Sequence, residues 1–362
     1  MNMLGKQGLK QVCSRAVQVY FPAGPRLSAQ LYSTSRHSPS KVELLYGAAS
    51  VLPALDQQRR KILRLFVRIQ GGLYEQLDIE TPMSRKKLNH MYIREDLLSQ
   101  VEASKLIQFA KSEARKKNIP IREISQSRLD VLSEKRPNQG LVMEAMPLEV
   151  EICRSLGTFD SETSRYPVQT SAKESIEMIS NHRFPIWLVL DSIMDPQNLG
   201  AILRTAHFFN LDGVIISSKE SAPLSPVVSK ASSGALEVMD LFVAPSIPKL
   251  LESSAIEGWH IYGTDIRAPL DQRVSLYPAP GGSVPRKPLV EGPTILVMGN
   301  EGTGLKSSVS RLCHQHIVIG GGTEPSEHAQ AATNAGEERL SVDSLNVSVA
   351  AGIILSALVA GV

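Results

Sequence analysis

Asp195-Pro-Gln-Asn-Leu-Gly-Ala-Ile-Leu-Arg204, entered from the apolar run Trp187-Leu-Val-Leu190, decides the fold. The run is rich in aliphatic and β-branched residues, as strands buried on both faces are, and polar residues with a glycine follow it. Two more segments set polar or glycine residues beside an apolar run. Thr294-Ile-Leu-Val leads into Met298-Gly-Asn-Glu-Gly-Thr-Gly-Leu305, and Ser344-Leu-Asn-Val-Ser-Val-Ala-Ala-Gly-Ile353 opens an apolar helix with polar groups. Strand-like runs at 187–190, 213–216, 241–243, 260–264, 294–298 and 315–319, with helical stretches between them, predict an α/β unit around a parallel sheet. Loops leaving the carboxyl ends of such strands are where ligands bind.

The residue types suggest the chemistry. Asn198 and Arg204 are six positions apart, able to flank one mouth, and a planar guanidinium suits a phosphate or a developing alkoxide. Standing alone, this segment would read as a capping Asn and a surface Arg. The loop Gly299 to Gly304 is neither G-x-G-x-x-G nor G-x-x-x-x-G-K-[ST], so a dinucleotide fingerprint and a P-loop are excluded. Its glycines let backbone groups approach a ligand closely, with Glu301 at the centre. Ser344 and Asn346 are placed to cap a helix. His207 has no acid spaced to orient it and reads as structural.

In this order, the three segments resemble the signature motifs of the SpoU family of RNA 2′-O-ribose methyltransferases, over the chain from Phe184 onward. The resemblance implies a parallel-sheet methyltransferase domain tied in a trefoil knot, with S-adenosylmethionine held around Gly299, Gly304, Ile319 and Leu345. It implies a catalytic site formed by Asn198, Arg204, Glu301, Ser344 and Asn346, with no metal, and homodimers. The family's proposed proton acceptor is the arginine at Arg204. A guanidinium has donors and no accepting lone pair, so stabilisation of the forming alkoxide is the expected role, with an RNA phosphate as proton relay. The insertion at 320–339 separates the strand ending at Ile319 from the last motif further than the family pattern does.

Ahead of this unit, residues 43–147 alternate helix, basic turn and strand, ending in Asn138-Gln-Gly-Leu-Val-Met. They resemble the small L30e-like substrate-binding domain of many family members. Arg59, Arg60, Lys61 and Arg64 crowd a turn and strand there and are expected to grip RNA. Residues 148–183, polar and Ser-rich, read as a linker.

Charge agrees with a polyanionic partner. The net charge of +3 hides six basic and no acidic residues in 1–42, 18 basic against 12 acidic in 43–136, and 15 against 24 in 137–362, which loads positive charge toward the N-terminal half. Residues 1–42, acid-free and Ser-rich, read as a mitochondrial presequence, with a matrix destination expected. Cys13, Cys153 and Cys313 are odd in number and scattered, which offers neither a disulfide framework nor a zinc site and excludes paired-cysteine base methylation. The uncharged stretch 344–362 approaches the length of a membrane span. Its Gly352, Ser356 and Ala360, four apart, instead make a small-residue helix face suited to a subunit contact.

The whole layout implies methylation of a guanosine ribose in the peptidyl-transferase region of mitochondrial large-subunit ribosomal RNA. A tRNA 2′-O-methyltransferase of the same family would share every catalytic residue. A non-catalytic ribosome-assembly factor would be expected to lack Arg204, Glu301 or Asn346, all of which are present.

Overall fold

Two strands define the centre of the molecule: β9 (Ile186–Leu190, Ile-Trp-Leu-Val-Leu) and β14 (Thr294–Met298, Thr-Ile-Leu-Val-Met), both buried at every position. Strands buried on both faces are covered by helices on both sides, the condition for a parallel sheet. The computed structural model describes residues 42–69, 100–171, 174–265, 268–276, 290–300, 302–319 and 345–360. The expected presequence, most of the 277–293 insertion, the 320–339 insertion, Glu301 and Ser344 lie outside them.

β9 and β14 pair in parallel within an eight-stranded sheet. Its other strands are β5 (Glu151–Ile152), β10 (Gly213–Ser217), β11 (Leu241–Ala244), β12 (His260–Gly263), β13 (Arg273–Ser275) and β15 (Gln315–Val318). The order is β13-β15-β12-β14-β9-β10-β11-β5, and every pairing is parallel. From β9 the chain builds outward through β10 and β11, then crosses to the other side for β12 and β14. The order therefore reverses between β9 and β14, and a crevice at such a reversal is where open α/β sheets bind ligands. The first two motifs leave these two strands.

Five helices follow in this unit: α4 (Pro196–Phe208), α5 (Pro226–Ala231), α6 (Ala235–Val238), α7 (Ile247–Ile256) and α8 (Ser307–Ser310), with α9 (Val347–Val359) near the C-terminus. α9 packs on α4. It has 13 residues, and no helix among the described residues is long and apolar enough to cross a membrane.

The linker expectation for 148–183 is corrected. β5 joins the edge of the large sheet beside β11, and β6 (Ser155–Leu156), β7 (Arg165–Gln169) and β8 (Ser175–Ile179) form an antiparallel sheet. Polar composition masked a period of two. Tyr166 and Val168 alternate with exposed or half-exposed neighbours along β7 and are buried with Leu156 against Trp187 and Trp259. The Tyr166 hydroxyl accepts the Trp187 indole N–H at 2.9 Å.

Strands β1 (Glu43–Tyr46), β2 (Ile62–Arg68), β3 (Ile121–Ile124) and β4 (Leu141–Ala145) form a separate four-stranded sheet in the order β1-β4-β2-β3. Helices α1 (Ala48–Gln57), α2 (Gln100–Lys116) and α3 (Gln126–Leu132) accompany it. Ile107 and Ala110 of α2 are fully buried. The Asn138-Gln-Gly turn is held by Asn138, whose amide donates to Asp130 and Ser133 and whose oxygen accepts Gly140 N–H.

Candidate active site

At the C-terminal end of β9 the chain turns through Asp191 and Ser192, the latter at φ 65°, and enters α4. Asp195 caps the helix by accepting Gln197 N–H at 2.8 Å, and Pro196 fills the first position, where no N–H is needed. Asn198, in the first turn, is buried. Asn346 caps α9, its oxygen accepting Ser348 N–H at 2.9 Å, and its amide donates to Asn198 Oδ1 at 3.1 Å. Residues 148 positions apart in the chain thus meet, and the first and third motifs form one constellation. Gly200 packs where a side chain would strike Ala231 of α5, so it serves helix contact and not a phosphate. Arg204 lies about 9 Å from Asn198 along α4. It is exposed and, among the described residues, has no hydrogen-bond or ion-pair partner, which leaves its guanidinium available to a ligand.

The second motif is a closed loop. Asn300 and Gly304 exchange backbone hydrogen bonds of 3.1 and 2.9 Å, and the Asn300 side-chain oxygen accepts Gly302 N–H at 2.9 Å. A side chain on Gly299 would collide with the carbonyl of Gly304. The Asn300 amide donates to Ser192 O at 3.0 Å and Asp191 N–H to Met298 O at 2.8 Å, tying the loop after β14 to the turn after β9. Lys306 adds a second tie: its ammonium is 2.6 Å from Glu220 and 3.5 Å from buried Asp191. The hydrogen bond to Glu220 raises the Lys306 pKa, and the same contact lowers that of Glu220, so the bridge is charged at neutral pH. Asn300, Asp191, Ser192, Glu220 and Lys306 were not singled out in the sequence. Asn300 and the Asp191-Ser192 pair had a signal, being polar residues directly behind buried strands; Glu220 and Lys306 had none.

Ile319 is half-buried just past β15 and packs on the apolar cluster holding Met298 and Val347, and Leu345, ahead of α9, is 49% exposed. A cavity of about 450 Å³ lies beside the loop, lined by Asp265, Thr303, Leu305, Lys306, Ser307 and Arg311 among others. Backbone groups of a glycine loop, an exposed leucine and an apolar strand end suit a molecule with an adenine face and an aliphatic arm, so the residues present fit S-adenosylmethionine. Among the described residues no group of three or more metal-ligating side chains is found. Half-buried His207 has its pKa lowered by burial.

The RNA-contact expectation for Arg59 and Arg60 is corrected. Arg60 has no exposed side-chain surface and is ion-paired with Glu43 and Glu237, and Arg59 donates to the carbonyls of Met239 and Leu236. The Arg60 guanidinium, all three of whose nitrogens donate inside the protein, cannot reach a phosphate, and half-buried Arg59 turns its Nη1 toward backbone carbonyls. Of the expected four, Lys61 is exposed, and Arg64 is half-exposed, 3.7 Å from Glu144.

Comparison with known proteins agrees with this architecture. The SpoU rRNA Methylase family matches residues 185–325. The mitochondrial rRNA methyltransferase 1 of Homo sapiens is 33% identical over 334 residues, 92% of this chain and 77% of that protein. Its namesake from Dictyostelium discoideum is 37% identical over 248 residues, 67% of this chain and 42% of that protein. The 23S rRNA (guanosine-2′-O-)-methyltransferase RlmB of Pseudomonas syringae is 36% identical over 171 residues, 47% of this chain and 56% of that protein. The solved structure of the SpoU methyltransferase AviRb from Streptomyces viridochromogenes, in complex with the cofactor AdoMet, superposes with a TM-score of 0.51 at 17% identity, over 88% of this chain and 89% of that one; at that identity the likeness is one of fold. The chain belongs to the SpoU rRNA methylase family.

Proposed function

We propose that this protein transfers a methyl group from S-adenosylmethionine to the 2′-hydroxyl of a guanosine in mitochondrial large-subunit ribosomal RNA, in the peptidyl-transferase region, within the matrix. The observation that carries the reading is the hydrogen bond between Asn198 and Asn346, which joins the first and last motifs next to the tied-down glycine loop of the second. The names of the relatives support the substrate, the nucleoside and the compartment. The same bond supports the family's trefoil knot, since the C-terminal motif must return to the first loop to make it.

When bound, S-adenosylmethionine supplies an electrophilic methyl on sulfur. The protein's part is to hold the ribose oxygen in line with that methyl and to stabilise charge as the proton leaves. Exposed Arg204 donates to the developing alkoxide and to the adjoining RNA phosphate, which takes the proton. Asn198 and Asn346 fix the mouth, Gly299, Gly304, Ile319 and Leu345 hold the cofactor, and Glu301 and Ser344 complete the site. Residues 43–147 hold the RNA. The exposed cations Lys61, Arg122, Arg128, Lys135 and Arg136 support that role.

The active form is a homodimer through α9. Its outward face carries Val349, 50% exposed, and exposed Ser356 and Ala360, and a side chain at Gly352 would meet nothing within 4 Å. Ser356→Arg should sediment as an inactive monomer; a fully active monomer refutes the dimer. Mapping 2′-O-methyl marks across mitochondrial RNA with and without the protein tests the activity. Loss of one guanosine mark in large-subunit rRNA is expected, and loss of a tRNA mark alone overturns the assignment.

A further inference from the structure

Arg60 sits in the turn between α1 and β2 with its side chain wholly buried. Its Nη1 donates to Glu43 on β1 at 2.6 Å, and its Nε and Nη2 donate to the two carboxylate oxygens of Glu237 at 2.9 and 3.1 Å. Glu43 belongs to the four-stranded unit, and Glu237, on α6, belongs to the large-sheet unit. Neighbouring Arg59 donates to the carbonyl of Met239 at 2.6 Å. Around these bonds α1 packs on α5 and α6, and Gly234 has no room for a side chain against the carbonyl of Ala49. Apolar residues of the same volume would hold two surfaces together at least as well as buried charges do. A bidentate arginine adds direction, because its planar fork accepts a carboxylate in one geometry.

What that direction fixes follows from the packing order. α5 and α6 lie between α1 on one side and α4 on the other, with Gly200 of α4 pressed against Ala231 and Ser232. α4 also carries Asn198 and Arg204. The four-stranded unit is thus referenced to the helix that bears the reacting arginine.

We propose that Arg60 is a positioning residue whose paired grip on Glu43 and Glu237 holds bound RNA at a fixed distance and angle from Arg204 and so selects which ribose is methylated. This rests on the reading that residues 43–147 hold the RNA. In-line transfer tolerates little misplacement, so a hinge between the two units would let neighbouring riboses compete.

The test uses the full chain with Arg60→Met, and with the triple variant Arg60→Met, Glu43→Gln, Glu237→Gln, in which no unpaired charge is left buried. Spin labels on cysteines placed at exposed Ser112 and Ser253 report the spread of distances between the units, calorimetry reports S-adenosylmethionine affinity, and methyl mapping on large-subunit rRNA reports site choice. The expected result is a broadened distance distribution, cofactor affinity within a few fold, turnover at the correct ribose reduced roughly ten- to a hundredfold, and new marks on adjacent riboses. A narrow distribution with unchanged site choice in the triple variant overturns the proposal. A broadened distribution with unchanged site choice also overturns it, by a different route: the units have come loose, and the RNA is held elsewhere than in residues 43–147.

Discussion

An exposed arginine on the helix that carries the first motif is the clearest functional mark at the scale of residues. Arg59, Arg60, Arg64 and Arg165 find carboxylates or carbonyls, whereas Arg204 projects from α4, the helix of the first motif, unpaired among the described residues. Its replacement should therefore cost catalysis and nothing in folding. Arg204→Ala is expected to lower methyl transfer by a hundredfold or more, about the effect of removing one oxyanion donor, with S-adenosylmethionine affinity within a few fold; labelled methyl transfer alongside calorimetry checks it, and near-normal turnover refutes the role. Asp212 is the opposite kind of residue, buried just ahead of β10. Burial pushes its carboxyl up to about 6, against the hydrogen bonds it accepts from Ile186 and Asn181 N–H. A carboxyl whose pKa is raised by folding contributes stability that is present below its unfolded value near 4 and is lost as pH rises through 6. Asp212→Asn cannot titrate, so the stability difference between variant and wild type should shift in the variant's favour by on the order of 2 kcal/mol between pH 4 and 7. Thermal unfolding across that range measures it, and a constant difference would show that Asp212 does not titrate there.

Among the elements, the glycine loop after β14 depends on backbone closeness that no side chain can share. Gly299→Ala puts a methyl group into the Gly304 carbonyl, and a forced shift costing about 1–3 kcal/mol should weaken S-adenosylmethionine binding by roughly ten- to a hundredfold, read by calorimetry; unchanged affinity would remove the loop from the cofactor site. This loop was legible in the sequence because its glycines sit directly behind a largely apolar strand, as Asp195 to Arg204 does behind β9. What was not legible is what holds the loop. The Asn300 bond to Ser192 spans 108 positions and the Lys306 bridge to Glu220 spans 86, and neither leaves a periodic trace. Arg59 and Arg60 misled for a related reason, since a cluster of basic residues in a turn looks alike whether its partner is a phosphate or a glutamate 177 positions away. The strands of 148–183 were hidden because only alternate positions are apolar and the segments are short.

The whole molecule is divided differently from its sequence pattern, and the position of the boundary can be tested by truncation. The first signature-bearing strand pattern begins at Phe184, yet the core of the large-sheet unit extends upstream of it. Leu156, Tyr166 and Val168 are at most 1% exposed and pack in the cluster built on Trp187 and Trp259, while β5 completes the sheet edge at β11. Burying a large apolar side chain contributes about 1.5–3 kcal/mol, so losing these three removes roughly 5–9 kcal/mol, as much as an entire domain commonly has to spare. A chain beginning at residue 184 should therefore fail to unfold cooperatively. One beginning at residue 148 keeps this cluster and loses the Arg59 and Arg60 contacts together with the packing of α1 and β1 on α5 and α6, which leaves Glu237 facing solvent. It should fold with a lowered melting temperature and still bind S-adenosylmethionine. Calorimetric unfolding of the two chains together with Trp187 and Trp259 fluorescence decides the matter: equal melting temperatures would mean that residues 148–183 are dispensable and that the catalytic unit begins where its signature does.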